Sequence, residues 1–586
     1  MRASECILQK IEKFENAVAQ VDGETGRKLT YNDIIERSSA LTRWLRSRGV
    51  GPKDVIVLMS KNNADYVWIL LGIWNSGAAC YLINPRFTLR EILHALSLVS
   101  VKGLILEKGT FTTIFCPPMG EIKHVIEFGD NPNVELSDGV ISMNKVIMSL
   151  KKKVLSYERI VRASIAPQMF GVGRAPRLRL PGGDAGLLGP PNNDARLRRK
   201  SAVSSAVTGS ELRSLRELEE LENIPEDLAL VLNSSGSSGL PKGVMLTHQN
   251  IIASLKLSKT FIEKGERAVG LMPYFHAYGL VLMLMCLYEG ATVVNISKFS
   301  LPSLMKTIKE YSLTHLHIVP SLLVTLIKSS WINFGDLKSV QHVWTGAAPV
   351  GAKEQEDLKK KFQQAVVIHH SYGLTETTFT MFTGVSSLQK PGSPGRLIDS
   401  MQCKIVDLEN NNVLKPGSVG EVCFKGPLLM KGYINNPKAT AEAIDSEGWL
   451  HTGDLGYFDQ DGYFFFVDRV KEIIKYQGYQ VSTCELEFVL ISHQWIQDAA
   501  VIGIEHKIYG QVPRAFVVSQ SCPASDVTAQ DIHDYMREMV APYKLLRGGI
   551  VFVDSIPKTP SGKNQRAELR LMEVRTVFYD QKIKSR

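Results

Sequence analysis

The sequence lacks the features that define several protein classes. Its eight cysteines are scattered, and no pair has the C-x-x-C spacing, which argues against a disulfide framework or a zinc ribbon. No stretch reaches the roughly 20 unbroken apolar residues that a membrane-spanning helix needs. Asn75 and Ser76 interrupt one candidate, and His276 and Glu289 interrupt a second. We therefore predict buried core helices and no transmembrane segment.

Signals for repeats, targeting and nucleic-acid binding are also lacking. No internal repeat with a period of about 20–50 residues is visible, which argues against a solenoid or a propeller. The net charge is +9, but the basic excess is concentrated between residues 174 and 200, so we expect no nucleic-acid partner. The charged N-terminal residues do not form a signal peptide. The C-terminal Lys584-Ser585-Arg586 is not a standard peroxisomal signal, so we expect a cytoplasmic protein, with a peroxisomal location as the alternative.

The composition is that of an ordinary globular protein. The 586 residues are 44% hydrophobic and 22% charged, and at about 150 residues per domain the chain is long enough for several structural units. Short apolar runs alternate with helical patterns near the N-terminus, which predicts a parallel sheet covered by helices. The predicted elements are strands at 55–60, 78–84 and 103–106 and helices at 66–74 and 89–97. Asn62 or Asn63 is expected to cap the helix at 66–74.

The pattern is interrupted between residues 156 and 210, which are rich in Gly, Pro and Arg and have no periodicity. We predict a disordered insertion there. A basic arm that binds nucleic acid or a membrane, and an intron retained in the gene model, are the alternatives. Residues 401–433 have a β-rich pattern, and a further change of pattern places a domain boundary at 468–471.

The first chemical signal is a Ser/Gly loop after a predicted strand at 228–233. Glycines let backbone N–H groups approach an anion, hydroxyls add hydrogen bonds, and a lysine adds positive charge. The combination suits a polyphosphate, although it is not a Walker A loop because the lysine precedes its glycine. A flexible surface loop is the alternative. The candidate residues are Ser234, Ser235, Gly236, Ser237, Ser238, Gly239 and Lys242.

A second signal, Ser371-Tyr372-Gly373-Leu374-Thr375-Glu376, directly follows an apolar strand at 366–368. Ligands of open α/β sheets bind at the carboxyl ends of the strands. Tyr372 offers a flat face for a purine, and Thr375 and Glu376 offer a hydroxyl and a carboxylate that suit Mg²⁺. The alternative is a helix start with Thr375 and Glu376 in its first turn.

A third signal is Gly448-Trp449-Leu450-His451-Thr452-Gly453-Asp454. A carboxylate on a tight glycine turn can accept hydrogen bonds from both hydroxyls of a ribose, as acidic residues do in dinucleotide-binding folds. An ordinary aspartate in a turn is the alternative.

A fourth signal is Pro557-Lys558-Thr559-Pro560-Ser561-Gly562-Lys563. The prolines stiffen the presentation of Lys563, a compact point charge that can neutralise a carboxylate and a phosphate together. A solvated surface lysine is the alternative.

In this order the motifs resemble those of the adenylate-forming (AMP-binding) superfamily, in the group of acyl-CoA synthetases, 4-coumarate:CoA ligases and beetle luciferases. The match also includes VDRVKEIIKYQGYQV at 467–481. The resemblance implies an α/β fold with a large N-terminal domain of mostly parallel sheets sandwiched by helices, a β-rich subdomain and a small mobile α+β C-terminal domain. The expected bounds are 1–467 for the AMP-binding domain, 468–471 for a hinge and 472–586 for the C-terminal domain.

The resemblance also implies an acid–thiol ligase that uses ATP, Mg²⁺ and coenzyme A. A carboxylate first displaces pyrophosphate from ATP, and the thiol of coenzyme A then displaces AMP. By resemblance, the loop 234–242 binds phosphates, Tyr372 stacks on adenine, and Gly373 belongs to the same ATP/AMP site. Thr375 contacts phosphate, Glu376 holds Mg²⁺, and Asp454 and Arg469 hold the ribose. Lys471 is the hinge, Lys563 stabilises the adenylation transition state, and the small domain rotates to bring Lys475, Gln477 and Gly478 toward coenzyme A.

The acyl pocket is implied by the same resemblance. Phe379 stands where many coumarate ligases carry a smaller residue, so we expect a reshaped cavity for a fatty or an aromatic acid. A buried histidine with no role in binding is the alternative for His276. The candidate residues are His276, Tyr278, Gly346, Ala347 and Phe379.

Two other functions remain open at this stage. A luciferase-like adenylating oxygenase shares the YGLTETT motif at 372–378, so this motif does not separate it from a ligase. A nucleotide-binding pseudoenzyme with a disrupted N-terminal domain is favoured by the insertion and disfavoured by the intact Glu376, Asp454, Arg469 and Lys563.

Overall fold

The structure, a computed structural model, describes most of the chain outside the segment around the predicted insertion. The described residues are 1–107, 124–128, 140–142, 227–234, 241–346, 352–362, 366–383, 390, 392–477, 479–506, 508–519, 528–559, 562–572, 574 and 577–579. The predicted insertion at 156–210 therefore lies outside them. So do Ser235, Gly236, Ser237, Ser238 and Gly239 of the candidate phosphate loop, Ala347 and Gly478.

The large lobe alternates strands and helices. Its first elements are α1 (Ala3–Ile11), β1 (Val18–Asp22), β2 (Lys28–Thr30), α2 (Tyr31–Ser47), β3 (Val55–Met59), α3 (Tyr66–Ser76), β4 (Ala79–Ile83), α4 (Leu89–Ser97), β5 (Val101–Glu107), β6 (His124–Phe128) and β7 (Val140–Ser142). They are followed by β8 (Leu228–Ser234), β9 (Lys242–Thr247), α5 (His248–Leu255), α6 (Ser258–Phe261), β10 (Arg267–Gly270), α7 (Ala277–Glu289), β11 (Thr292–Asn295), α8 (Leu301–Tyr311), β12 (His315–Ile318), α9 (Pro320–Lys328), β13 (His342–Thr345), α10 (Ala352–Lys361) and β14 (Val367–His370).

A β-rich segment and a small C-terminal lobe complete the chain. The β-rich segment consists of β15 (Tyr372–Gly373), β16 (Thr380–Thr383), β17 (Arg396–Leu397), β18 (Gln402–Val406), β19 (Gly420–Lys425), β20 (Gly432–Tyr433), α11 (Pro437–Ala443), β21 (Leu450–Phe458) and β22 (Phe464–Arg469). The C-terminal lobe consists of β23 (Ile474–Tyr476), β24 (Tyr479–Val481), α12 (Thr483–Ser492), β25 (Ile496–His506), β26 (Gly510–Ser519), α13 (Ala529–Met539), β27 (Ile550–Phe552) and α14 (Arg566–Leu571).

The elements predicted between residues 55 and 106 are confirmed as β3, α3, β4, α4 and β5. The predicted cap of α3 is wrong, because Asp65 occupies the N-cap position and makes no capping hydrogen bond with its side chain. The Asn62 amide instead donates to the carbonyls of Gly270 and Met272, at 3.1 and 2.7 Å. Asn62 therefore joins the start of α3 to the carboxyl end of β10, a distant contact that local sequence does not reveal.

Two largely parallel sheets form the body of the large lobe. Within the described residues, one has the strand order β20-β9-β8-β4-β3-β5-β6-β7 and the other β14-β13-β12-β10-β11-β1-β2. All five residues of β3 are buried, and they face two different clusters: Val55 and Val57 pack into one, and Ile56 and Leu58 into the other. Burial on both faces is why such strands are continuously apolar rather than alternating.

Helices cover both sheets and separate them. Residues of α1, α2, α3, α5 and α7 share one hydrophobic cluster with strands of the first sheet, so these helices form the middle layer. Residues of α8, α9 and α10 pack against the outer face of the second sheet. The α/β fold class predicted from the sequence is confirmed.

The β-rich segment and the small lobe have mainly antiparallel strands. In the β-rich segment the described strands pair in the order β18-β19-β21-β22. In the small lobe β25 and β26 form a long antiparallel pair, and β27 joins β26 in parallel. Among the described helices, none is long and apolar enough to cross a membrane.

Candidate active site

A cleft of about 490 Å³ lies at the seam between the large and small lobes. Its volume is within the range of about 300–1,000 Å³ that is usual for small-molecule sites. All five motifs that carry the family resemblance contribute to its wall. The lining residues from these motifs include Ser234, Lys242, Gly373, Thr375, Glu376, Asp454, Arg469, Lys471 and Lys563.

The large-lobe residues reach the cleft because they stand at the carboxyl ends of strands in both sheets. Ser234 is the last residue of β8 in one sheet, and Ser371 directly follows β14 in the other. The carboxyl ends of strands in open α/β sheets are where ligands bind. Thr375 and Glu376 lie in a single 3₁₀ turn at 375–377, so the local shape is close to the helix-start alternative while both side chains still face the cleft.

Asp454 is held between an aromatic hydroxyl and a guanidinium. The Tyr372 hydroxyl donates to Oδ2 of Asp454 at 2.7 Å, and Nε of Arg469 lies 3.3 Å from Oδ1. Asp454 and Arg469 are register partners on β21 and β22, which is why these residues meet although they belong to different motifs. Burial raises the pKa of Asp454, and the charge of Arg469 and the Tyr372 hydrogen bond act against that rise.

The prediction of a tight glycine turn before Asp454 is wrong. Gly453 has a φ of 68° but lies inside strand β21, next to an irregularity in its pairing with β19. Its N–H donates to Oε1 of Glu421 at 2.9 Å. Oε2 of Glu421 lies 2.9 Å from Nδ1 of His451. Glu421 therefore fixes the backbone that presents Asp454, a role with no distinct motif in the sequence.

The Tyr372 ring is fixed by aromatic packing as well as by its hydroxyl. Its centroid lies 5.5 Å from that of Phe464 and 5.7 Å from that of Phe382, in tilted arrangements. Tyr372 is not part of the cleft wall: it lines a second cavity of about 250 Å³ between the lobes, and Asp454 lines both the cleft and this cavity. The predicted stacking of Tyr372 on adenine remains a prediction.

Glu376, Tyr433 and Lys242 form a connected group in the cleft wall. The Tyr433 hydroxyl donates to Oε1 of Glu376 at 2.9 Å. Nζ of Lys242 lies 4.7 Å from the centroid of the Tyr433 ring, within cation–π range. Sequence reasoning missed Tyr433, because a single tyrosine on a two-residue strand has no pattern. Its pairing with β9 places it beside Lys242.

Lys563 enters the cleft from the small lobe. Burial lowers the pKa of Lys563 to about 8, with the charge of Arg469 adding to the shift and those of Asp454 and Glu376 opposing it. Two hydrogen bonds between Thr559 and Lys563 close the loop that carries Lys563. The Lys563 N–H donates to the Thr559 hydroxyl at 3.1 Å, and the Thr559 N–H donates to the Lys563 carbonyl at 2.8 Å. Lys563 is therefore a positive charge held near two carboxylates.

The loop that carries Lys563 contacts the large lobe closely. Gly562 has a φ of 82°, and a Cβ at that position would lie 3.1 Å from the side chain of Val319. On the other side, Nζ of Lys558 lies 2.8 Å from a carboxylate oxygen of Asp498 and 2.7 Å from Oδ1 of Asn564. The loop is thus anchored to its own lobe and fits against the neighbouring one.

Three of the candidate acyl-pocket residues line the cleft: His276, Tyr278 and Phe379. Burial lowers the pKa of His276 to about 4, with the charge of Lys563 adding to the shift, and its Nε2 is buried without a hydrogen-bond partner among the described residues. The Tyr278 and Phe379 rings stack at a centroid distance of 6.0 Å. Gly346 does not line the cleft: a Cβ there would lie 2.9 Å from the Ser371 hydroxyl.

The predicted coenzyme A residues lie away from the cleft. Lys475 and Gln477 are exposed, and their backbone N–H groups bond to Oε1 of Gln511 and the carbonyl of Tyr509, both at 3.1 Å. Lys471, the predicted hinge, is exposed at the rim of the cleft. In this arrangement Lys563 lies in the cleft, and Lys475 and Gln477 lie outside it.

Fold and site together define a two-lobed, nucleotide-dependent α/β enzyme with a lysine of the small lobe inserted at the seam. Comparison with family models agrees with this class. The AMP-binding enzyme model matches residues 8–434, and the AMP-binding enzyme C-terminal domain matches residues 485–563. The chain belongs to the AMP-binding, adenylate-forming enzyme family.

Characterised relatives and solved structures cover nearly the whole chain. The sequence is 32% identical over 553 residues to luciferin 4-monooxygenase of Nipponoluciola cruciata, covering 93% of this chain and 90% of that protein. It is 31% identical over 575 residues to 4-coumarate–CoA ligase 2 of Nicotiana tabacum, covering 96% and 93%.

Two solved structures share the fold at lower sequence identity. The anthranilate CoA ligase AuaEII in complex with anthranoyl-AMP has a TM-score of 0.78 at 21% identity, with 97% of each chain covered. The o-succinylbenzoate coenzyme A synthetase MenE of Bacillus subtilis, in complex with ATP and a magnesium ion, has a TM-score of 0.70 at 22% identity, with 96% of this chain and 99% of that chain covered.

Proposed function

We propose that the protein is an ATP-dependent acid–thiol ligase, which activates a carboxylic acid as its acyl-adenylate and transfers the acyl group to coenzyme A. One observation carries the proposal: five motifs that are distant in the sequence line a single cleft, with Lys563 of the small lobe beside Asp454, Arg469 and Glu376. The ligases among the relatives and solved structures support the same reaction class.

In the first step, an oxygen of the substrate carboxylate forms a bond to the α-phosphorus of ATP, and the bond from that phosphorus to the β-phosphate oxygen breaks. Such a displacement depends on positioning and on neutralising charge. We assign the ribose to Asp454 and Arg469, which already hold each other in place. Lys563 neutralises charge on the reacting groups, and the phosphates extend toward Ser234 and Lys242.

Glu376 is the residue that we propose to hold Mg²⁺. Its carboxylate is a hard oxygen ligand, it lines the cleft, and the Tyr433 hydrogen bond fixes one of its oxygens. The ion supplies charge neutralisation on the phosphates when it is bound. The presence of ATP and a magnesium ion in the MenE structure supports magnesium as the ion.

In the second step, the thiolate sulfur of coenzyme A bonds to the acyl carbon, and the bond from that carbon to the AMP oxygen breaks. Lys563 occupies the cleft in this structure, whereas Lys475 and Gln477 lie outside it. We propose that the small lobe rotates at 468–471 between the steps, which withdraws Lys563 and brings Lys475 and the Gln477-Gly478 segment to the acyl group. Their position here is the starting point of that rotation.

His276, Tyr278 and Phe379 are assigned to the carboxylate substrate. Burial and Lys563 favour the neutral form of His276, which avoids a second positive charge beside the carboxylate. The stacked Tyr278 and Phe379 rings form a flat apolar wall, which suits either an aromatic acid or an extended fatty chain.

Luciferase-like adenylating oxygenase is the second candidate, supported by the 32% identity to luciferin 4-monooxygenase. Both candidates share the adenylation step and the same lysine and carboxylates. They differ in the reactant that consumes the acyl-adenylate: the thiol of coenzyme A takes the acyl group in the ligase, whereas O₂ oxidises the adenylate in the oxygenase.

Pyrophosphate release across a panel of fatty and aromatic acids, measured with and without coenzyme A, tests the proposal. We expect release with at least one acid and a several-fold faster turnover, with thioester formed, when coenzyme A is present. Light and oxygen uptake with luciferin in the absence of coenzyme A would instead support the oxygenase. A folded protein that binds ATP and releases no pyrophosphate with any acid would overturn both candidates in favour of a pseudoenzyme.

A further inference from the structure

A second group of polar side chains lies at the opposite end of the parallel strands from the cleft. His315 and His342 are the first residues of β12 and β13 and are register partners. Glu266 immediately precedes β10, and Ala268 of β10 pairs with His315. The strand order therefore brings three residues that are far apart in sequence to the amino ends of adjacent strands.

The distance between Glu266 and His315 fits a shared cation better than a direct hydrogen bond. One ligand atom from each of Glu266, His315 and His342 lies within 4.8 Å of the other two. Oε2 of Glu266 is 3.6 Å from Nε2 of His315, which is too long for a hydrogen bond. Tetrahedral ligands at about 2.0–2.2 Å from Zn²⁺ are roughly 3.3–3.6 Å from one another.

Neighbouring side chains orient both imidazoles. Nδ1 of His315 lies 2.9 Å from the Thr314 hydroxyl, which leaves Nε2 toward Glu266. Nδ1 of His342 lies 3.0 Å from Nε2 of His369. The His315 and His342 rings stack at a centroid distance of 4.5 Å. A hydrogen-bond partner at the outer nitrogen fixes the tautomer and the ring orientation of a histidine that binds a metal.

The ligand set also suits a cation by its charge. Each imidazole offers a nitrogen lone pair, and the Glu266 carboxylate adds one negative charge.

We propose that Glu266, His315 and His342 form a binding site for one divalent transition-metal ion of the Zn²⁺ class. Two imidazoles and a carboxylate suit Zn²⁺ and Co²⁺ rather than Mg²⁺. The side chain of Glu266 is 22% exposed while that of His315 is 3% exposed, so water can fill a fourth position from the Glu266 side. The site is separate from the cleft and from the Mg²⁺ assigned to Glu376.

The ion would join the starts of β10, β12 and β13. Gly346 follows β13 four residues after His342, a span of about 13 Å along a strand. The site therefore stabilises strands that lead to the cleft without contacting reactants. We expect a structural effect, seen first in metal affinity and thermal stability rather than in the chemistry of adenylation.

A different candidate group serves as an internal comparison. Glu421, Cys423 and His451 also bring three possible ligands together. However, Glu421 and His451 already contact each other at 2.9 Å, and burial raises the pKa of the Cys423 thiol to about 12, which disfavours the thiolate that binds zinc. An ion bound there would have a sulfur ligand, and an ion at Glu266 would not.

Titration of the chelator-treated full-length protein with Co²⁺, in excess Mg²⁺, tests the proposal. We expect one Co²⁺ per chain, with visible d–d bands and no thiolate charge-transfer band. Glu266→Gln, which is isosteric, and His342→Ala are each expected to weaken binding by more than about 100-fold, since loss of an outer partner alone costs about 10- to 100-fold. His506→Ala, which removes an exposed histidine of the small lobe, is the matched control and is expected to bind normally.

Thermal unfolding with and without Zn²⁺ gives an independent readout. We expect Zn²⁺ to raise the midpoint of the wild-type protein and of His506→Ala, and to leave that of Glu266→Gln unchanged, with equal metal-free midpoints showing that the variant folds. Unchanged affinity in Glu266→Gln would overturn the site. So would a folded wild-type protein that binds no Co²⁺, or a charge-transfer band that Cys423→Ser removes.

Discussion

Two segments of the small lobe present lysines in opposite environments. Lys563 lies in the cleft, where burial and Arg469 lower its pKa to about 8. Lys475, on the hairpin of β23 and β24, is exposed. The same rigid lobe carries both side chains, so they cannot occupy one cleft at the same time unless the lobe deforms.

The difference fits our proposal that the small lobe completes the active site in two arrangements, one for each step. The Lys563 loop fits against Val319 of the large lobe, while the Lys475 hairpin forms hydrogen bonds with Gln511 and Tyr509 of its own lobe. The arrangement in this structure is therefore the one that we propose for adenylation. We therefore expect substitutions of the two lysines to affect different half-reactions.

Lys563→Ala is expected to have the largest effect. Loss of a charge that stabilises a transition state commonly lowers the rate by about 10²- to 10³-fold. We expect that loss in acid-dependent pyrophosphate release, and close to normal thioester formation when the acyl-adenylate is supplied. Measuring both half-reactions on one preparation provides the control, and an equal loss in both would contradict the comparison.

The pH dependence of adenylation is expected to report the same lysine. Its ammonium form is mostly present at pH 7 and is lost as the pH rises through about 8. The kcat/KM for adenylation should therefore be flat near neutrality and fall by about tenfold per pH unit well above 8, because this parameter reports groups of the free enzyme.

Lys563→Arg is the matched variant for that profile. Arginine stays charged throughout the range, so we expect a lower rate without the fall at alkaline pH. An identical fall in Lys563→Arg would assign the pKa to another group.

Lys475→Ala is expected to show the reverse pattern with a smaller effect. Removal of one exposed charge should slow thioester formation by about tenfold, or about 1.4 kcal/mol in the barrier, and leave pyrophosphate release in the first turnover unchanged. Single-turnover measurements with and without coenzyme A separate the steps. Lys415→Ala, at another exposed lysine, is the control, and a loss in adenylation would argue that the hairpin acts in the first step.

Gly562→Ala is expected to have the smallest effect. Alanine at a φ of 82° is strained, and its Cβ would contact Val319 at 3.1 Å. A strain of about 1 kcal/mol corresponds to roughly a fivefold lower adenylation rate, with thioester formation unaffected. Val319→Ala in the same background relieves the contact, so partial recovery is expected. No change in either step would indicate that the loop does not dock as described.

Much of the architecture could be predicted because it depends on short-range patterns. The buried strand Val55–Met59 and the apolar helix Tyr66–Ser76 are visible as runs of apolar residues. The predicted Asn62 cap was wrong because of a long-range contact: the Asn62 amide donates to the carbonyls of Gly270 and Met272, which are about 200 positions away. When a side chain has several possible hydrogen-bond partners, the fold determines which one it takes, because the fold determines which groups lie beside it.

The sequence by itself determined which chemical groups are available and in what order, because residue type and spacing specify a glycine-rich loop, a carboxylate or a presented lysine before any folding. Only the tertiary structure decided how these groups act on one another. It pairs Asp454 with Arg469, places Tyr433 against Glu376, and gathers Glu266 with two strand-end histidines. Charge, burial and ligand geometry arise from distances across the fold, and those distances are absent from a linear chain.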